Sequence, residues 1–352
     1  MTDRKEIGNL TVTEAPHIKT DMDTQKTMLM VLAALTPSFM MGVYIFGADV
    51  AVLTGVCVGS AVFFEWAYEK LMKKESTIYD FSAMVTGAIL AFNLPAEFPL
   101  WMAVIGTFVA IVIVKQLYGG LGKNIANPAI VARIVLLLSF TKQMTTWPLN
   151  DFVKTAEDSV DTVTGATPLG LLADGSDLPG LARMFMGFIS GSCGEVSAAA
   201  ILIGGLFLIW KKVISPVIPL SILGTIFAFS VIYYGPQMEF SDCMYMAFFH
   251  LLAGGAMFGA FFCATDYVTS PIMNSARICY GIGIGLITMI IRLFGSYPEG
   301  MSFAILFMNV MAPLLDRAAI KAFYGDGKKK DKGPADDGRK DKDEEKGGSA
   351  KK

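Results

Sequence analysis

A short segment near the middle of the chain carries residue types suited to covalent chemistry. It reads Asp161-Thr-Val-Thr-Gly-Ala-Thr-Pro-Leu169, so that a threonine hydroxyl, that of Thr167, follows a glycine and precedes a proline. Gly165 permits the backbone angles of a turn, and Pro168 stops any helix arriving from the N-terminal side. The local pattern therefore predicts a turn in which the hydroxyl of Thr167 faces outward.

Three polar residues lie close together at the start of an apolar stretch. Asn124 and Asn127 are three residues apart and would share one side of a helix, where each amide offers a donor and an acceptor. The alternative for the pair is a helix-start cap followed by a turn. Arg133 should lie near mid-membrane, where a lone charge costs at least ~2.5–3.5 kcal/mol. It must therefore face a partner, either in a structural ion pair or at a bound ligand.

A third set of polar residues follows a later apolar segment. Asp266 lies between Thr265 and Thr269 in a stretch that ends at Pro271. If this stretch is the loop of a broken helix, its carboxylate, hydroxyls and exposed carbonyls are hard oxygen ligands suited to Na⁺. The alternative is an aspartate that caps the next helix. The pattern indicates a candidate ion path, with no complete metal site.

The composition shows what kind of fold must position these groups. Of 352 residues, 53% are hydrophobic and 17% are charged, against about 25% charged in soluble domains. Seventeen of the 60 charges lie in the last 25 residues, and the rest of the chain is net acidic. This excludes a nucleic-acid-binding protein, which needs a basic face. The five cysteines form no CxxC pair, so we expect them to pack in helices and not to ligate iron–sulfur or zinc centres.

The sequence predicts an all-α polytopic membrane protein with about ten transmembrane helices. A window about 20 residues wide matches the thickness of the hydrocarbon core. It selects segments 28–46, 50–68, 79–94, 99–115, 125–141, 184–210, 213–234, 243–263, 276–292 and 301–320. The segment 79–94 is short, and 184–210 is interrupted at Gly191, Gly194 and Glu195, which predicts a half-helix there.

The basic residues predict the orientation of the chain. With the N-terminus inside, the inner segments collect fourteen Lys/Arg before the tail and the outer segments four. Ten spans then divide into two five-helix halves of inverted topology, separated by an outer loop. The predicted divisions are a cytoplasmic leader 1–27, a first membrane half 28–141, an exoplasmic loop 142–183, a second membrane half 184–324 and a disordered charged cytoplasmic tail 325–352.

Several longer blocks resemble a known family. Leu117-Tyr-Gly-Gly-Leu-Gly122 with Asn127-Pro-Ala129, Leu251–Met257 running into Thr265–Thr269, and Ile291–Gly300 are similar to the NqrB/RnfD family. The likeness covers roughly residues 26–325, and the short leader favours the RnfD branch. The pattern D-x-x-[ST]-G-A-T, formed by Asp161, Thr164, Gly165, Ala166 and Thr167, is similar to the motif at which a flavin transferase links FMN to the final threonine by a phosphoester.

The resemblance implies a role in electron transfer. It implies a multi-pass subunit, in a bacterial cytoplasmic membrane, of an Rnf-type ferredoxin:NAD⁺ oxidoreductase that translocates Na⁺ or H⁺. FMN would be covalent at Thr167, with Asn124, Asn127 and Arg133 as further flavin contacts and a non-covalent riboflavin as a second cofactor. Partners would be RnfA, RnfB, RnfC, RnfE and RnfG, notably a second subunit that carries its own covalent FMN on the outer face. No convincing dinucleotide fingerprint is present, so the expected role is electron relay, with no complete active site in this chain alone.

Two alternatives compete with this interpretation. One is an NqrB-type subunit of a Na⁺-pumping NADH:quinone reductase, and the other is a urea-channel-like solute channel, which has no reason to carry the flavin motif. Other polar residues in the spans have simpler interpretations. We expect Asp80, Glu195 and Asp316 to be caps or interfacial charges, His250 to be a hydrogen-bonded core residue, and the glycines of Gly281–Gly285 to permit close helix packing.

Overall fold

The ten apolar segments of the sequence all form helices in the structure, a computed structural model that describes residues 23–74, 76–148, 164–295 and 299–325. The helices are α1 Thr24–Phe46, α2 Ala48–Leu71, α3 Ser82–Phe92, α4 Leu100–Phe108, α5 Pro128–Ser139, α6 Thr141–Met144, α7 Pro168–Asp174, α8 Leu181–Met186, α9 Ala198–Trp210, α10 Val217–Tyr234, α11 Phe240–Leu252, α12 Ala256–Phe258, α13 Asn274–Phe294 and α14 Met301–Tyr324. α4 continues as a π-helix, Val109–Gln116, and α12 as a second one, Gly259–Cys263. The leader up to residue 22 and the tail from 326 lie outside the described residues.

Length and apolarity sort these helices into full spans and shorter pieces. Among the described residues, α1, α2, α10, α13 and α14 are each long and apolar enough to cross a membrane. α11 and the α12 segment make a sixth span if counted together, although they are bent by 59° at their junction. α3, Leu100–Gln116, α5 and α9 are shorter apolar helices. The expected polytopic helical class is therefore confirmed.

The helix ends alternate between two opposite ends of the molecule. At one end lie the N-terminal ends of α1, α3 and α5 and the C-terminal ends of α4, α9 and the α12 segment. These helix ends surround a cavity whose lining includes Thr27, Ser82, Lys115, Asn127, Val213 and Asp266. The other end gathers the end of α5, α10 and α13 with the start of α14, at Leu137, Tyr234, Leu293 and Glu299. The number of crossings, predicted as ten, and the end that faces the cytoplasm both stay predictions.

Two interrupted spans support each other in the interior. α3 has eleven residues and is about 16 Å long, roughly half the hydrocarbon thickness. Its C-terminal end meets the non-helical stretch before α9, where the backbone N–H of Cys193 donates to the carbonyl of Leu94 and that of Gly194 to the carbonyl of Phe92, both at 3.0 Å. Irregular backbone at membrane depth is tolerated only with such partners. The predicted short segment and the predicted half-helix are therefore both present.

The two halves repeat the same packing relations. α2 packs against α4 in the first half as α10 packs against α13 in the second, and α1 packs against α9, the first helix of the other half. The fifth segments, α5 and α14, also contact each other. These pairings agree with two five-helix halves; their inversion in a membrane stays a prediction.

The glycines of α13 provide close helix contacts, as expected. A Cβ on Gly281 would collide with the hydroxyl of Ser221 on α10, and one on Gly285 would lie 2.7 Å from the Cβ of Thr225. Gly283 faces Met308 of α14 in the same way, with the methionine Cε 2.5 Å from an added Cβ. α13 therefore approaches α10 at a distance that requires glycine, whereas the contact with α14 is through the end of a flexible methionine side chain.

We expect Gly285→Ala to destabilise the folded chain by about 1–3 kcal/mol, because the added methyl group must push α10 away from α13. Gly224→Ala is the matched control, since Gly224 lies on α10 and an added Cβ there has no atom within 4 Å. It should be neutral or stabilising by about 0.5–1 kcal/mol. Thermal unfolding in detergent measures both, and equal midpoints for the two variants would contradict the packing argument.

Candidate functional site

The segment that carries Thr167 is anchored at both ends. Trp147–Pro148 (β1) pairs antiparallel with Thr164–Gly165 (β2), so that Trp147 lies opposite Gly165. The seven-residue helix α7 begins directly after Thr167, which is its N-cap and whose Oγ1 accepts a 3.1 Å hydrogen bond from the backbone N–H of Gly170. This ladder joins the chain before residue 149 to the chain after residue 163. Sequence reasoning missed it, because two-residue strands leave no periodic pattern.

Thr167 does not face outward, and that prediction was wrong. Its side chain is 8% exposed, since its capping role turns the hydroxyl toward the helix start while Pro168 and Leu169 are buried beside it. Ala166 is exposed and Gly165 half-buried. Thr164 contributes its backbone to the ladder, and Asp161 lies outside the described residues. The hydroxyl thus faces into the protein.

A cavity of about 310 Å³ opens beside this threonine. Its lining combines an apolar wall with a few polar groups. The lining residues are Arg133, Leu137, Met144, Thr145, Trp147, Gly165, Ala166, Thr167, Gly170 and Glu299. We call this space the Thr167 cavity. A concave, mostly apolar site with a few convergent polar groups is the usual form of a cofactor site.

Arg133 forms the charged floor of the Thr167 cavity. Its guanidinium donates to Glu299 at 2.5 Å and to the hydroxyl of Ser302 at 2.6 Å, and Glu195 Oε1 lies 3.8 Å away. The predicted ion pair is therefore present, and the same arginine also lines the cavity. The expectation that Glu195 is a cap or an interfacial charge was wrong. It is buried, because the non-helical stretch before α9 turns it inward to meet Arg133 and the hydroxyl of Ser192.

The cavity at the opposite end of the molecule is narrower, about 90 Å³. Asn124 and Asn127 both line it, yet they do not share a helix face, because the helix begins only at Pro128. Asn127 is the N-cap of α5: its Oδ1 accepts from the backbone N–H of Ala129 at 3.0 Å, and its amide donates to the carbonyl of Cys263. Asn124 lies in the preceding loop, and its Oδ1 is buried without a hydrogen-bond partner. The cap alternative holds for Asn127 alone. We call this space the Asn124 cavity.

Asp266 also faces the Asn124 cavity, from the loop between the second π-helix and α13. Its Oδ2 accepts from the hydroxyl of Thr269 at 3.1 Å, while the Thr265 hydroxyl donates to the carbonyl of Phe261 at 2.6 Å. The aspartate does not cap α13. Asp316 of α14 holds the segment that leads into α13, since its carboxylate accepts from the backbone N–H groups of Ile272 and Met273, at 3.0–3.1 Å. Both groups precede the first residue of α13, and the N-cap residue Met273 makes no side-chain capping bond, so Asp316 is not a helix cap.

Sequence reasoning missed a buried charge cluster behind the Asn124 cavity. The Nζ of Lys115 lies 2.5 Å from Glu65 Oε1 and 2.7 Å from the hydroxyl of Ser82, and Gln116 donates to the same Glu65 oxygen at 2.9 Å. Lys115 is 2% exposed and Glu65 fully buried. The available signal was Glu65, an acidic residue inside the predicted apolar span 50–68. A buried acid of this kind requires a basic partner.

The remaining polar residues behave as expected. Asp80 accepts from the backbone N–H of Ser82 at 2.8 Å and so caps α3. His250 is fully buried, and its Nε2 lies 3.2 Å from the hydroxyl of Tyr234. Four of the five cysteines are buried without a disulfide, and Cys279 is exposed. None of these groups faces the Thr167 cavity.

Known proteins resemble this chain over nearly its whole length. The family model described as NQR2, RnfD, RnfE family matches residues 11–325. The D subunit of the Na(+)-translocating ferredoxin:NAD(+) oxidoreductase complex of Acetobacterium woodii is 45% identical over 324 residues, covering 90% of this chain and 96% of the relative. The D subunit of the proton-translocating ferredoxin:NAD(+) oxidoreductase complex of Clostridium ljungdahlii is 39% identical, with coverage of 90% and 96%. The D subunit of the ion-translocating oxidoreductase complex of Actinobacillus succinogenes is 37% identical, with coverage of 87% and 95%. This chain belongs to the NQR2, RnfD, RnfE family.

Proposed function

We propose that this chain is the D-type membrane subunit of an Rnf-type ion-translocating ferredoxin:NAD⁺ oxidoreductase, and that it relays electrons through FMN covalently attached to Thr167. The observation that carries the proposal is the placement of Thr167: the last residue of the flavin-attachment motif lines a cavity whose floor is a buried arginine. The names of three relatives support the membership: each is a D subunit of an ion-translocating oxidoreductase complex, and two of these complexes are named ferredoxin:NAD(+) oxidoreductases.

The Thr167 cavity fits a flavin by size and by chemistry. A cavity of about 150 Å³ holds benzene, so about 310 Å³ suits a larger ring system. Leu137, Met144 and Trp147 supply apolar contacts to the ring faces. Arg133 supplies a cation for the phosphate or for a ring carrying negative charge. FMN, when bound, would supply the electron-carrying group, and the chain's own residues would hold it and exclude water.

The attachment step balances as a phosphoryl transfer. The Thr167 oxygen attacks the phosphorus on the FMN side of FAD; the new O–P bond forms, the bond to AMP breaks, AMP leaves and the hydroxyl proton is released. Because Thr167 is only 8% exposed, we propose that the transferase acts before the segment around Thr167 packs against the rest of the chain. The ester oxygen can still accept from the N–H of Gly170, so that α7 keeps its cap.

The wider role follows from what this chain holds and what it lacks. Among the described residues, no three His, Cys, Asp or Glu side chains are grouped as metal ligands. We propose that iron–sulfur and NAD⁺ chemistry belongs to partner subunits, RnfA, RnfB, RnfC, RnfE and RnfG. The chain would lie in the bacterial cytoplasmic membrane with both termini in the cytoplasm and the Thr167 cavity at the outer face, near the second covalent FMN.

A second flavin, riboflavin, is a candidate for the Asn124 cavity. The unpartnered Oδ1 of Asn124 and the neighbouring Lys115 and Asp266 offer suitable hydrogen-bond partners. The space of about 90 Å³ is smaller than a cavity that holds benzene. Riboflavin would therefore fit there only if the lining side chains moved apart.

Flavin analysis of the purified complex tests the proposal. With the flavin transferase co-expressed, the denatured chain should fluoresce in a gel at one flavin per chain, and acid extraction should release any riboflavin separately. A dark band, with the transferase active on a control substrate, would remove the electron-relay function and favour a channel. Purification with quinone-reductase partners in place of Rnf partners would favour the NqrB-type alternative.

We expect Asp266→Ala to abolish redox-driven Na⁺ or H⁺ uptake by the complex in vesicles while the flavin stays attached. The carboxylate faces the Asn124 cavity at the end opposite Thr167, so its loss should not reach the attachment site. Asp316→Ala is the control: it removes a carboxylate that binds the backbone just before α13 and does not line that cavity. Uptake by Asp266→Ala at the parental rate would rule out this aspartate as part of the ion path.

A further inference from the structure

The sharp bend between α11 and α12 is built on two consecutive glycines. Gly254 and Gly255 have φ of +59° and +65°, in the left-handed region that residues with a Cβ rarely adopt. Side chains also crowd both positions. A Cβ on Gly254 would collide with Leu169 and lie 3.0 Å from Arg292 Nη2, and a Cβ on Gly255 would lie 2.5 Å from Glu195 Oε1. The bend therefore requires glycine twice, for its backbone angles and for space.

Arg292 satisfies the backbone groups that the bend leaves free. Its Nη1 donates to the carbonyl of His250 at 2.6 Å, and its Nη2 donates to the carbonyls of Ala253 and Gly254 at 2.8 and 3.2 Å. These carbonyls lie at the C-terminal end of α11, where the helix dipole favours a cation. In a membrane interior each unpaired carbonyl would cost several kcal/mol. One guanidinium thus holds three carbonyls that the helix break exposes.

The bend lies directly under the segment that carries Thr167. Leu169, in the first turn of α7, packs on Gly254 and is 4% exposed. A small cavity between them is lined by Thr167, Glu195, Gly254, Gly255 and Glu299. Leu169 therefore packs on the surface of the bend. The position of Thr167, two residues earlier, depends on this contact.

We propose that Arg292 is a positioning residue for Thr167: by holding the carbonyls of residues 250, 253 and 254 it fixes the two-glycine bend, and the bend seats Leu169 so that Thr167 faces Arg133 and Glu299. The geometric part stands on the contacts above. Its consequence for the flavin rests on the proposed attachment at Thr167.

A cysteine probe at position 167 tests the geometry without any flavin. The full chain, co-expressed with its complex in membranes, carries Thr167→Cys and Cys279→Ser, the second change removing the exposed native thiol. The initial rate of labelling by a small membrane-impermeant thiosulfonate is then measured. Arg292→Met should raise this rate at least tenfold, and Arg292→Lys, which keeps the charge and can reach a carbonyl, should restore it to within about threefold of the parent.

Arg277→Met is the matched control. Arg277 lies at the other end of α13 and also donates to a backbone carbonyl, that of Pro271 at 2.9 Å. It should leave the rate within about twofold of the parent. The native thiols of Cys57, Cys193 and Cys263 are buried and report general loosening, which should not accompany the effect. Labelling of Arg292→Met at the parental rate would overturn the proposal. So would an Arg292→Met chain in which the labelling rate of the native thiols rises as much as that of the thiol at position 167.

A second variant decides the matter if Arg292→Met does not accumulate. Leu169→Ala removes the side chain that packs on Gly254 and leaves the bend itself unchanged. It should therefore also raise the labelling rate of the thiol at position 167. A parental rate would overturn the proposal. In chains that retain Thr167, Arg292→Met should also change the visible absorption of the attached flavin. Faster labelling with no flavin on the parent would uphold the positioning role and refute the attachment.

Discussion

Thr167→Val is expected to remove covalent flavin from the chain completely and, with it, ferredoxin-dependent NAD⁺ reduction by the assembled complex. Valine has nearly the shape of threonine but has no oxygen to form the phosphoester. The same change removes the N-cap of α7, which should cost about 1 kcal/mol, too little to prevent folding of a chain with an extensive buried core. In-gel flavin fluorescence and NADH formation measure the two effects.

Two control variants separate chemistry from structure. Thr167→Ser keeps both the hydroxyl and the cap, so it should retain flavin unless the transferase needs the methyl group. Thr145→Val removes a different hydroxyl from the lining of the Thr167 cavity, one that donates only to backbone carbonyls of its own turn, and should keep full fluorescence. A fluorescent band in Thr167→Val would place the flavin on another residue.

The sequence predicted the long helices well because each is a local feature. Uniform apolar runs flanked by polar or Gly/Pro residues specify α1, α10 and α13 without reference to the rest of the chain. The interrupted spans were only partly predictable. The ends of α3 and α9 depend on hydrogen bonds between residues about 100 positions apart, such as Cys193 to Leu94, and no window along the chain contains both partners.

The candidate site shows the same division. The motif around Thr167 was found from a resemblance, whereas the burial of its hydroxyl depends on α7 and on the bend at Gly254, which lies more than 80 residues away. Arg133 was expected to need a partner because a lone charge in a span is costly. That cost does not identify the acidic partner, because Glu195 and Glu299 are 62 and 166 residues further along the chain. Counting buried charges of both signs would have indicated Glu195 as a candidate.

Lys115→Met is expected to destabilise the folded chain by roughly 3–5 kcal/mol, because it leaves the carboxylate of Glu65 buried without its cation. Both side chains are at most 2% exposed, and the 2.5 Å contact between them is the shortest link in the cluster with Ser82 and Gln116. Thermal unfolding in detergent should show a midpoint lowered by many degrees. Lys211→Met is the control, since Lys211 is exposed beside Trp210, and it should change stability by no more than about 0.5 kcal/mol.

The double variant Glu65→Met, Lys115→Met separates the cost of an orphaned charge from the value of the pair. Replacing both partners of a buried ion pair by apolar groups is often neutral, so the double variant should recover at least half of the loss even though Gln116 then lacks its acceptor. A double variant as unstable as Lys115→Met would mean that the lysine stem, and not the charge pair, stabilises this region. Recovery of stability with loss of ion uptake would instead show that the pair serves transport more than folding, since the cluster lies behind the Asn124 cavity that Asp266 also faces.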